Sequence, residues 1–353
     1  MITIGVDAHK RVHVAYAVDE AGHEIGQWRR ANSASGWRQL FAWAGESRGE
    51  RQWGIEGAWS YGRNLAQFLV DRGETVFDVN PRWTAFGRRR GRRPSKSDSL
   101  DARAVALVVR QEAPDLPAVT ADDATVVLDL LTSERDQALC DATRLRNQIH
   151  SLLMQVEPEY SLRLPTLKSK AGLAALRAYV APDDQTLQVE RAGAVRRLAE
   201  RLQLAVDQAA TLATRIKSLV GTRFEPLTRL CGVDLLTAGA LAGILGPGRR
   251  FSTDAQLAAY AGAAPLEASS AGLVRHRLNR GGNRRLNAIL YRIVLTQAHH
   301  LEEARAYLDR RVGEGKSRRE AMRALKRFVI RAIWRLWLDC DSPATRPDLA
   351  AVA

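Results

Sequence analysis

The order of strand and helix patterns in the first 100 residues constrains the fold of this chain more than any other feature. Three short apolar or alternating runs, ITIGVD, KRVHVAYAV and EIGQWRR, predict three consecutive strands. A helical pattern at 34–47 follows, and then a strand QWGIEG, a helix at 60–72, a strand ETVFDVN and a helix that begins near Asp98. This order predicts an α/β domain over residues 1–120.

Three antiparallel strands that lead into alternating helices and strands have the connectivity of a ribonuclease H-like fold. Residues 121–221 carry two long helical patterns with polar and charged faces, which predict a coiled-coil hairpin that dimerises or spans domains. Residues 222–340 predict a compact helical domain, and 341–353 predict a loose tail. The expected fold class is therefore α/β plus all-α, with a long-helix insertion between the two domains.

The charge balance indicates a polyanionic partner. The formal net charge is +14, which favours nucleic acid first and an anionic membrane second. Basic residues concentrate at 82–103 and again at 275–335, so two separate contact surfaces are expected. The candidate nucleic-acid-binding residues are Arg88, Arg89, Arg90, Arg92, Arg93, Lys96, Arg275, Arg277, Arg280, Arg284 and Arg285.

The remaining composition predicts a cytoplasmic protein that does not enter a membrane. The N-terminus MITIGVDAHK has no signal-peptide pattern, and no run of about 18 uncharged apolar residues occurs. Three widely spaced cysteines, Cys140, Cys231 and Cys340, form no CxxC pair. They predict reduced thiols and no structural zinc.

Four acidic residues occupy positions that the predicted fold brings together. Asp7 ends the first strand, Glu56 ends the fourth, and these strands are neighbours in a ribonuclease H-like sheet. Asp98 and Asp101 share one helical face because they are three residues apart. Four converging carboxylates repel one another unless divalent cations neutralise them, so the set predicts a site for two Mg²⁺ ions that act on a phosphodiester.

Each acid also has a simpler interpretation when it is taken alone. Asp7 is a strand-end turn residue, Glu56 a structural residue before Gly57, and Asp98 a helix cap. His9 lies next to the acids and either contacts phosphate or is structural. The combination of four acids beside an arginine cluster favours the metal site over these readings.

Two C-terminal motifs predict a phosphate contact and a serine nucleophile, and each also has a simpler interpretation. The segment GVDLLTAGALAGILG resembles a helix-hairpin-helix whose Gly turn offers backbone amides to a phosphate, or is a turn that packs two helices. In PLEASSAGLVRHRLNRGGNRRLN, Ser269 and Ser270 lie on a loop followed by arginines. A serine hydroxyl needs a base or a metal to become a nucleophile, and a lone Ser-Ser pair is ordinary turn chemistry.

Several of these motifs resemble one known family. GVDAHK at 5–10, IEGAW at 55–59 and SKSDSLDARAVA at 95–106 resemble the RuvC-like domain of the DEDD transposases, insertion-sequence recombinases related to the Piv and MooV DNA invertases. The C-terminal segments resemble the transposase domain of the same family. The match places the family's metal-binding acids on Asp7, Glu56, Asp98 and Asp101. Counting back from Gly282-Asn283 places its serine on Ser270, although Ala271 replaces the usual glycine and leaves Ser269 as the second candidate.

The resemblance implies a transposase that cleaves and rejoins donor and target DNA through a covalent phosphoserine, with Mg²⁺ on the four acids. It also implies guidance by a structured bridge RNA, and a homo-oligomer, dimer or tetramer, in which the serine domain of one subunit completes the acidic site of another. Two alternatives stay open: a RuvC-like nuclease or Holliday-junction resolvase in which water attacks, and a catalytically dead nucleic-acid-binding relative.

Overall fold

The computed structural model describes residues 1–46, 49–81, 98–246, 250–264, 266–267, 276–277 and 282–340. The chain divides into two compact units. The first comprises residues 1–123 and the described residues of 247–252, and the second comprises 124–246 and the described residues from 253 onward.

A five-stranded mixed sheet forms the centre of the first unit, with the strand order β3-β2-β1-β4-β5. β1 pairs antiparallel with β2, and β2 pairs antiparallel with β3. β1 and β4 are parallel, as are β4 and β5. The predicted strands and their connectivity are confirmed, and the topology is consistent with a ribonuclease H-like domain. The strands are β1 Ile2–Ala8, β2 Val12–Val18, β3 Glu24–Ala31, β4 Arg51–Glu56 and β5 Thr75–Val79.

Helices cover both faces of this sheet. α1 (Ala34–Glu46) and α2 (Arg63–Val70) pack on one face, where alternate residues of the central strands such as Ile4 and Val6 form the larger core. α3 (Asp98–Glu112) packs on the other face, against β1, β2 and β4. Because strand side chains alternate between faces, residues 5 and 7 of β1 lie on the α3 side.

The second unit is built on two long antiparallel helices, α4 (Ala124–Val156) and α7 (Thr186–Phe224), as the sequence predicts. The C-terminal half of α4 and the N-terminal half of α7 share one apolar core. The short helices α5 (Tyr160–Arg163) and α6 (Lys170–Arg177) lie between them in sequence. That the pair dimerises or spans domains stays a prediction.

The remaining helices of the second unit are α8 Leu235–Leu245, α9 Asp254–Tyr260, α10 Arg284–His300, α11 Glu302–Gly313 and α12 Arg318–Cys340. Two glycines of α8 let it pack closely on the long helices. A β-carbon on Gly239 would lie 2.6 Å from Ile216 of α7, and one on Gly243 would lie 2.5 Å from the backbone of Asp129 in α4. The helical region and the C-terminal helices thus pack together within one unit, and the expected boundary near 221 stays a prediction.

The described residues include no membrane-spanning helix and no disulfide bond. Among them, no helix has both the length and the apolar character that a bilayer crossing requires. The three cysteines are free thiols: Cys140 is exposed, Cys231 half-buried and Cys340 buried.

Candidate active site

Asp7 and Glu56 are direct neighbours across the two central strands. The parallel register of β1 and β4 pairs Asp7 with Glu56, and two residues earlier it pairs Gly5 with Gly54. Residues two apart on a strand point to the same face. The two acids and the two glycines therefore face the same side, which is the side that α3 covers.

The paired glycines allow α3 to approach the sheet. A β-carbon on Gly5 would lie 2.2 Å from both the carbonyl oxygen of Ala102 and the backbone nitrogen of Ala106, and one on Gly54 would lie 2.3 Å from a methyl group of Val109. Any side chain at these positions would hold the helix farther away. The glycines thus determine how closely the first turn of α3, with its acids, approaches the strand ends.

The turn between β1 and β2 adds a histidine to the acids. His9 Nε2 lies 3.0 Å from Asp7 Oδ2 and 3.7 Å from Asp98 Oδ1. The side-chain amide of Asn32 donates to the carbonyl oxygens of His9 and Lys10, both at 3.4 Å, and so supports the turn. Asp7, His9 and Asp98 each offer a ligand atom within 4.8 Å of the others.

Burial and mutual repulsion act on the acids together. Asp7 is almost covered, and burial raises the pKa of its carboxyl group, the charges of Asp101 and Asp98 raise that pKa further, and His9 lowers it. Asp101 is also buried, whereas the side chains of Asp98 and His9 are 44% and 51% exposed. The site is therefore closed at Asp7 and open to solvent at Asp98 and His9.

The end of β4 is anchored independently of the acids. Gly57 follows Glu56 with φ +70°, a conformation that suits glycine, and the next amide, of Ala58, donates to Asp78 Oδ1 at 3.0 Å. Burial raises the pKa of Asp78, although the hydrogen bond from the Ala58 amide and the positive charge of Arg250 lower that pKa. These contacts hold the turn that follows Glu56.

The residues present fit a divalent cation. Carboxylate oxygens are the ligands that Mg²⁺ prefers, and they occur here as a cluster whose negative charges oppose one another. An imidazole beside them also suits transition metals. The sequence predicts the four acids, but it leaves open that His9 contacts two of them, because that contact requires the β1–β2 turn to lie over α3.

The described residues show where the predicted serine loop begins and ends. Asn283 donates its backbone amide to the carbonyl oxygen of Tyr260 at 2.7 Å and its side-chain amide to the Tyr260 hydroxyl at 2.9 Å. Gly282 approaches Gly262 so closely that a β-carbon on it would lie 2.2 Å from the Gly262 nitrogen. The two ends of the segment therefore lie in contact, through Gly262 with Gly282 and Tyr260 with Asn283. We call this pair of contacts the neck. Ser269, Ser270, Ala271, Arg275 and Arg280 lie outside the described residues.

Three of the predicted nucleic-acid-binding residues, Arg277, Arg284 and Arg285, lie within the described part of the chain. Arg284 is exposed at the start of α10. Arg285 binds α4 instead of facing solvent alone: its Nη1 lies 2.8 Å from Asp129 Oδ1 and donates to Ser133 Oγ at 2.7 Å. Arg277 lies in the two-residue strand β7 (His276–Arg277), paired with β6 (Leu266–Glu267). The basic residues Arg88, Arg89, Arg90, Arg92, Arg93 and Lys96 lie outside the described residues, and their role stays a prediction.

The glycine turn before α8 packs against another helix. Gly232 has φ +90°, and a β-carbon there would lie 3.2 Å from the Cα of Ile293 in α10. The side chain of Gln297 donates to the carbonyl oxygen of Cys231 at 3.1 Å. These contacts support the interpretation as a packing turn, and a phosphate contact at this turn stays a prediction.

Two family models match the chain in separate regions. Residues 4–158 match the DEDD model of IS110 type, described as "Transposase". Residues 225–309 match the model described as "Transposase IS116/IS110/IS902 family". Together the matches span about two thirds of the chain and include both the acidic cluster and the neck of the serine loop.

Individual relatives are likewise insertion-element proteins or transposases. An insertion element IS110 uncharacterized 43.6 kDa protein from Streptomyces coelicolor is 28% identical over 69% of this chain and 71% of its own length. An insertion element IS116 uncharacterized 44.8 kDa protein from Streptomyces clavuligerus is 24% identical over 96% of this chain and 95% of its own. A probable family 20 transposase from Pseudomonas aeruginosa is 26% identical over 77% of this chain and 76% of its own.

A mixed sheet with acids at the ends of its central strands, joined to a helical C-terminal part and matched over both by transposase models, defines a DNA transposase. The chain is similar to the two transposase domains of the IS110/IS116 family, and these matches support an insertion-sequence transposase.

Proposed function

We propose that this transposase breaks and rejoins DNA strands with Ser270 as the nucleophile and with Mg²⁺ held by Asp7, Glu56, Asp98 and Asp101. The observation that carries the proposal is the convergence of β1, β4 and the first turn of α3, which gathers carboxylates that repel one another. When bound there, Mg²⁺ supplies the positive charge that stabilises a phosphodiester under attack and its leaving oxygen.

The side chains around the acids have separate tasks. His9 holds Asp7 through the contact at Oδ2 and keeps this buried carboxylate in one orientation. Asp98 and His9 are open to solvent, so the DNA strand enters from their side. Asp101 is buried and adds negative charge next to Asp7, which strengthens the attraction for a cation.

The serine step exchanges one phosphodiester for another. The Ser270 oxygen forms a bond to phosphorus and gives up its proton, while the bond from phosphorus to one deoxyribose oxygen breaks and that oxygen takes up a proton. A hydroxyl at another strand end then attacks the phosphoserine, and the Ser270 oxygen leaves as a hydroxyl. Because each step keeps one phosphodiester bond, no nucleotide cofactor is needed. The neck at Gly262 and Gly282 supports the proposal, since it holds the two ends of the serine segment together.

The same proposal includes the partners. Donor and target DNA are the substrates, a structured bridge RNA is the guide, and the serine of one subunit serves the acids of another within a dimer or tetramer. The net charge of +14 supports binding of both nucleic acids through their phosphates. We place the reaction in the cytoplasm, where the element's DNA and RNA are both present.

Substitution of the serine tests the mechanism. The full chain, with its RNA and an end-labelled element DNA, is incubated with Mg²⁺, and protein–DNA adducts are separated on a denaturing gel. Ser270→Ala should abolish both adducts and recombination, whereas Ser269→Ala, the matched control next to it, should retain both. Asp98→Asn should abolish adducts because it removes one acid of the metal site.

Other outcomes identify the alternatives. Cleavage without adducts that persists in Ser270→Ala would indicate a nuclease in which water attacks. Adducts lost only in Ser269→Ala would move the nucleophile to that residue. Binding without any cleavage, unchanged by Asp98→Asn, would indicate a nucleic-acid-binding protein with an inactive site.

A further inference from the structure

The edge strand β3 places an arginine in line with the acids. The register of the sheet pairs Glu56 with Asp7, Asp7 with Val14 and Val14 with Arg29. Residues paired in this way point to the same face, so all four lie on the side covered by α3. Arg29 therefore stands two strands from Asp7, a backbone separation of roughly 10 Å.

A groove runs between Arg29 and the first turn of α3. It has a volume of about 410 Å³ and is lined by Val14, Gln27, Trp28, Arg29, Asp98 and Ser99. Two hydrogen bonds hold the side chain of Gln27 in the wall of the groove. Ser99 Oγ donates to Gln27 Oε1 at 2.5 Å, and Gln27 Nε2 donates to Glu24 Oε1 at 2.8 Å. The groove begins at Asp98, so anything bound in it lies next to the acidic cluster.

The guanidinium of Arg29 is held only weakly. Its Nη2 lies 3.7 Å from Asp98 Oδ2, which is longer than a hydrogen bond, and its side chain is 68% exposed. Exposed ion pairs of this kind contribute little to the stability of the fold. When a cation takes up the charge of Asp98, the attraction that holds Arg29 weakens further, and its N–H groups become available to another anion.

We propose that Arg29 binds a backbone phosphate of the DNA strand that enters the acidic site, and that the groove holds the nucleotide next to the reacting phosphodiester. Arginine suits this task because its planar fork donates two hydrogen bonds to one phosphate and keeps its charge at all relevant pH values. The proposal rests on the function proposed above for the acids, and it adds a strand-binding residue that lies outside both basic clusters of the sequence.

The neighbouring arginine supplies a matched control. Arg30 pairs with His13, so its side chain leaves β3 on the opposite face of the sheet, and its Nη1 donates to the carbonyl oxygen of Arg29 at 2.7 Å. Arg30→Gln therefore makes the same change in net charge one residue away, without touching the groove. Arg29→Lys keeps the charge and removes the fork.

The experiment measures strand binding without cleavage. The full chain carrying Ser270→Ala is titrated onto a fluorescent DNA oligonucleotide with an element end, in Mg²⁺, and anisotropy is recorded at several salt concentrations. Arg29→Gln should weaken binding by roughly tenfold and lower the slope of log K against log salt by about one. The DNA affinity of Arg29→Lys should lie between those of the unaltered Arg29 chain and Arg29→Gln. Arg30→Gln should change the affinity less than about twofold.

Three results would overturn the inference. One is an equal effect of Arg29→Gln and Arg30→Gln, which would indicate diffuse electrostatics. Another is weaker binding of the guide RNA with DNA binding unchanged, which would assign Arg29 to the RNA. The third is tighter Mn²⁺ binding by Arg29→Gln with unchanged DNA affinity, which would show that Arg29 only balances Asp98. Failure of the acidic-site function itself would appear separately, as cleavage that survives Asp98→Asn in the otherwise unaltered chain.

Discussion

Replacing Gly5 with alanine should push α3 away from the sheet and disable the acidic site. A β-carbon at this position would lie 2.2 Å from backbone atoms of Ala102 and Ala106, whereas ordinary contacts begin at 3.4 Å. Backbone atoms in a helix have no rotamer through which to move aside. The helix must therefore retreat by about 1 Å, the difference between these distances, or the strand must distort by a similar amount.

Two magnitudes follow from a shift of this size. Forcing an extra methyl group into a packed interface costs about 1–3 kcal/mol of folding free energy. The shift also separates Asp98 and Asp101 from Asp7 by more than the roughly 0.5 Å that a preorganised site tolerates. A misplacement of about 1 Å reduces rates by about 100-fold, so DNA cleavage should fall much more than stability does.

Three measurements check the prediction. Denaturant unfolding followed by tryptophan fluorescence gives the loss of stability, Mn²⁺ titration gives the metal affinity, and cleavage of labelled DNA gives the rate. Gly45→Ala is the control, since among the described residues a β-carbon there would meet only Arg51 Nη1, at an ordinary 3.8 Å, and helical glycine-to-alanine changes are usually stabilising. A Gly5→Ala chain with the stability, Mn²⁺ affinity and cleavage rate of the wild type would refute the argument that the paired glycines position α3.

Two further predictions concern other parts of the chain. Asn283→Ala should lower the free energy of unfolding by about 1–2 kcal/mol, because it removes the side chain that caps α10 at the Leu286 amide. It should also slow adduct formation, since the neck loses its bond to Tyr260. Ser169→Ala removes the cap of α6, a helix that has no residue in the neck, and equal slowing in both variants would contradict the role of the neck. Burial lowers the pKa of His13 from 6.5 to about 4, so the unfolded chain takes up the proton first as pH falls. This proton uptake lowers the free energy of unfolding by about 3 kcal/mol as pH falls from 6.5 towards 4, and it has no effect above pH 6.5. His13→Phe should flatten the curve of unfolding free energy against pH over that range, and an unchanged curve would show that other groups dominate it.

Much of the first unit could be predicted from sequence because its signals are local. Period-two alternation and flanking turn residues define the five strands, and the helical pattern that begins at Asp98 coincides with α3. The sequence signal of α11 is weak, because only Ala304 and Leu308 of its twelve residues are buried and half of its residues are charged. A helix stabilised mainly by its neighbours carries too weak an apolar stripe to be recognised alone.

The positions of the acids could also be predicted, whereas the contacts of the basic residues could not. A carboxylate at the end of a strand reaches the sheet edge wherever that strand lies, so Asp7 and Glu56 follow from strand order alone. Nucleic-acid binding by Arg285 stays a prediction, and the structure adds contacts to Asp129 and Ser133 of α4, 152 residues or more away in sequence. Long side chains take their partners from whatever element packs nearby, and no local pattern records that choice.

Sequence alone determined the order of the strands, the positions of Asp7 and Glu56 at the ends of two strands and the excess of positive charge. Only the tertiary structure decided that His9 contacts Asp7 and Asp98, that Gly5 and Gly54 lie side by side beneath α3, and that Arg29 stands in the same row as Asp7. The first group depends on periodicity and strand order, which each segment carries by itself. The second depends on register and on the distance between layers, which are determined only when the strands and α3 pack together.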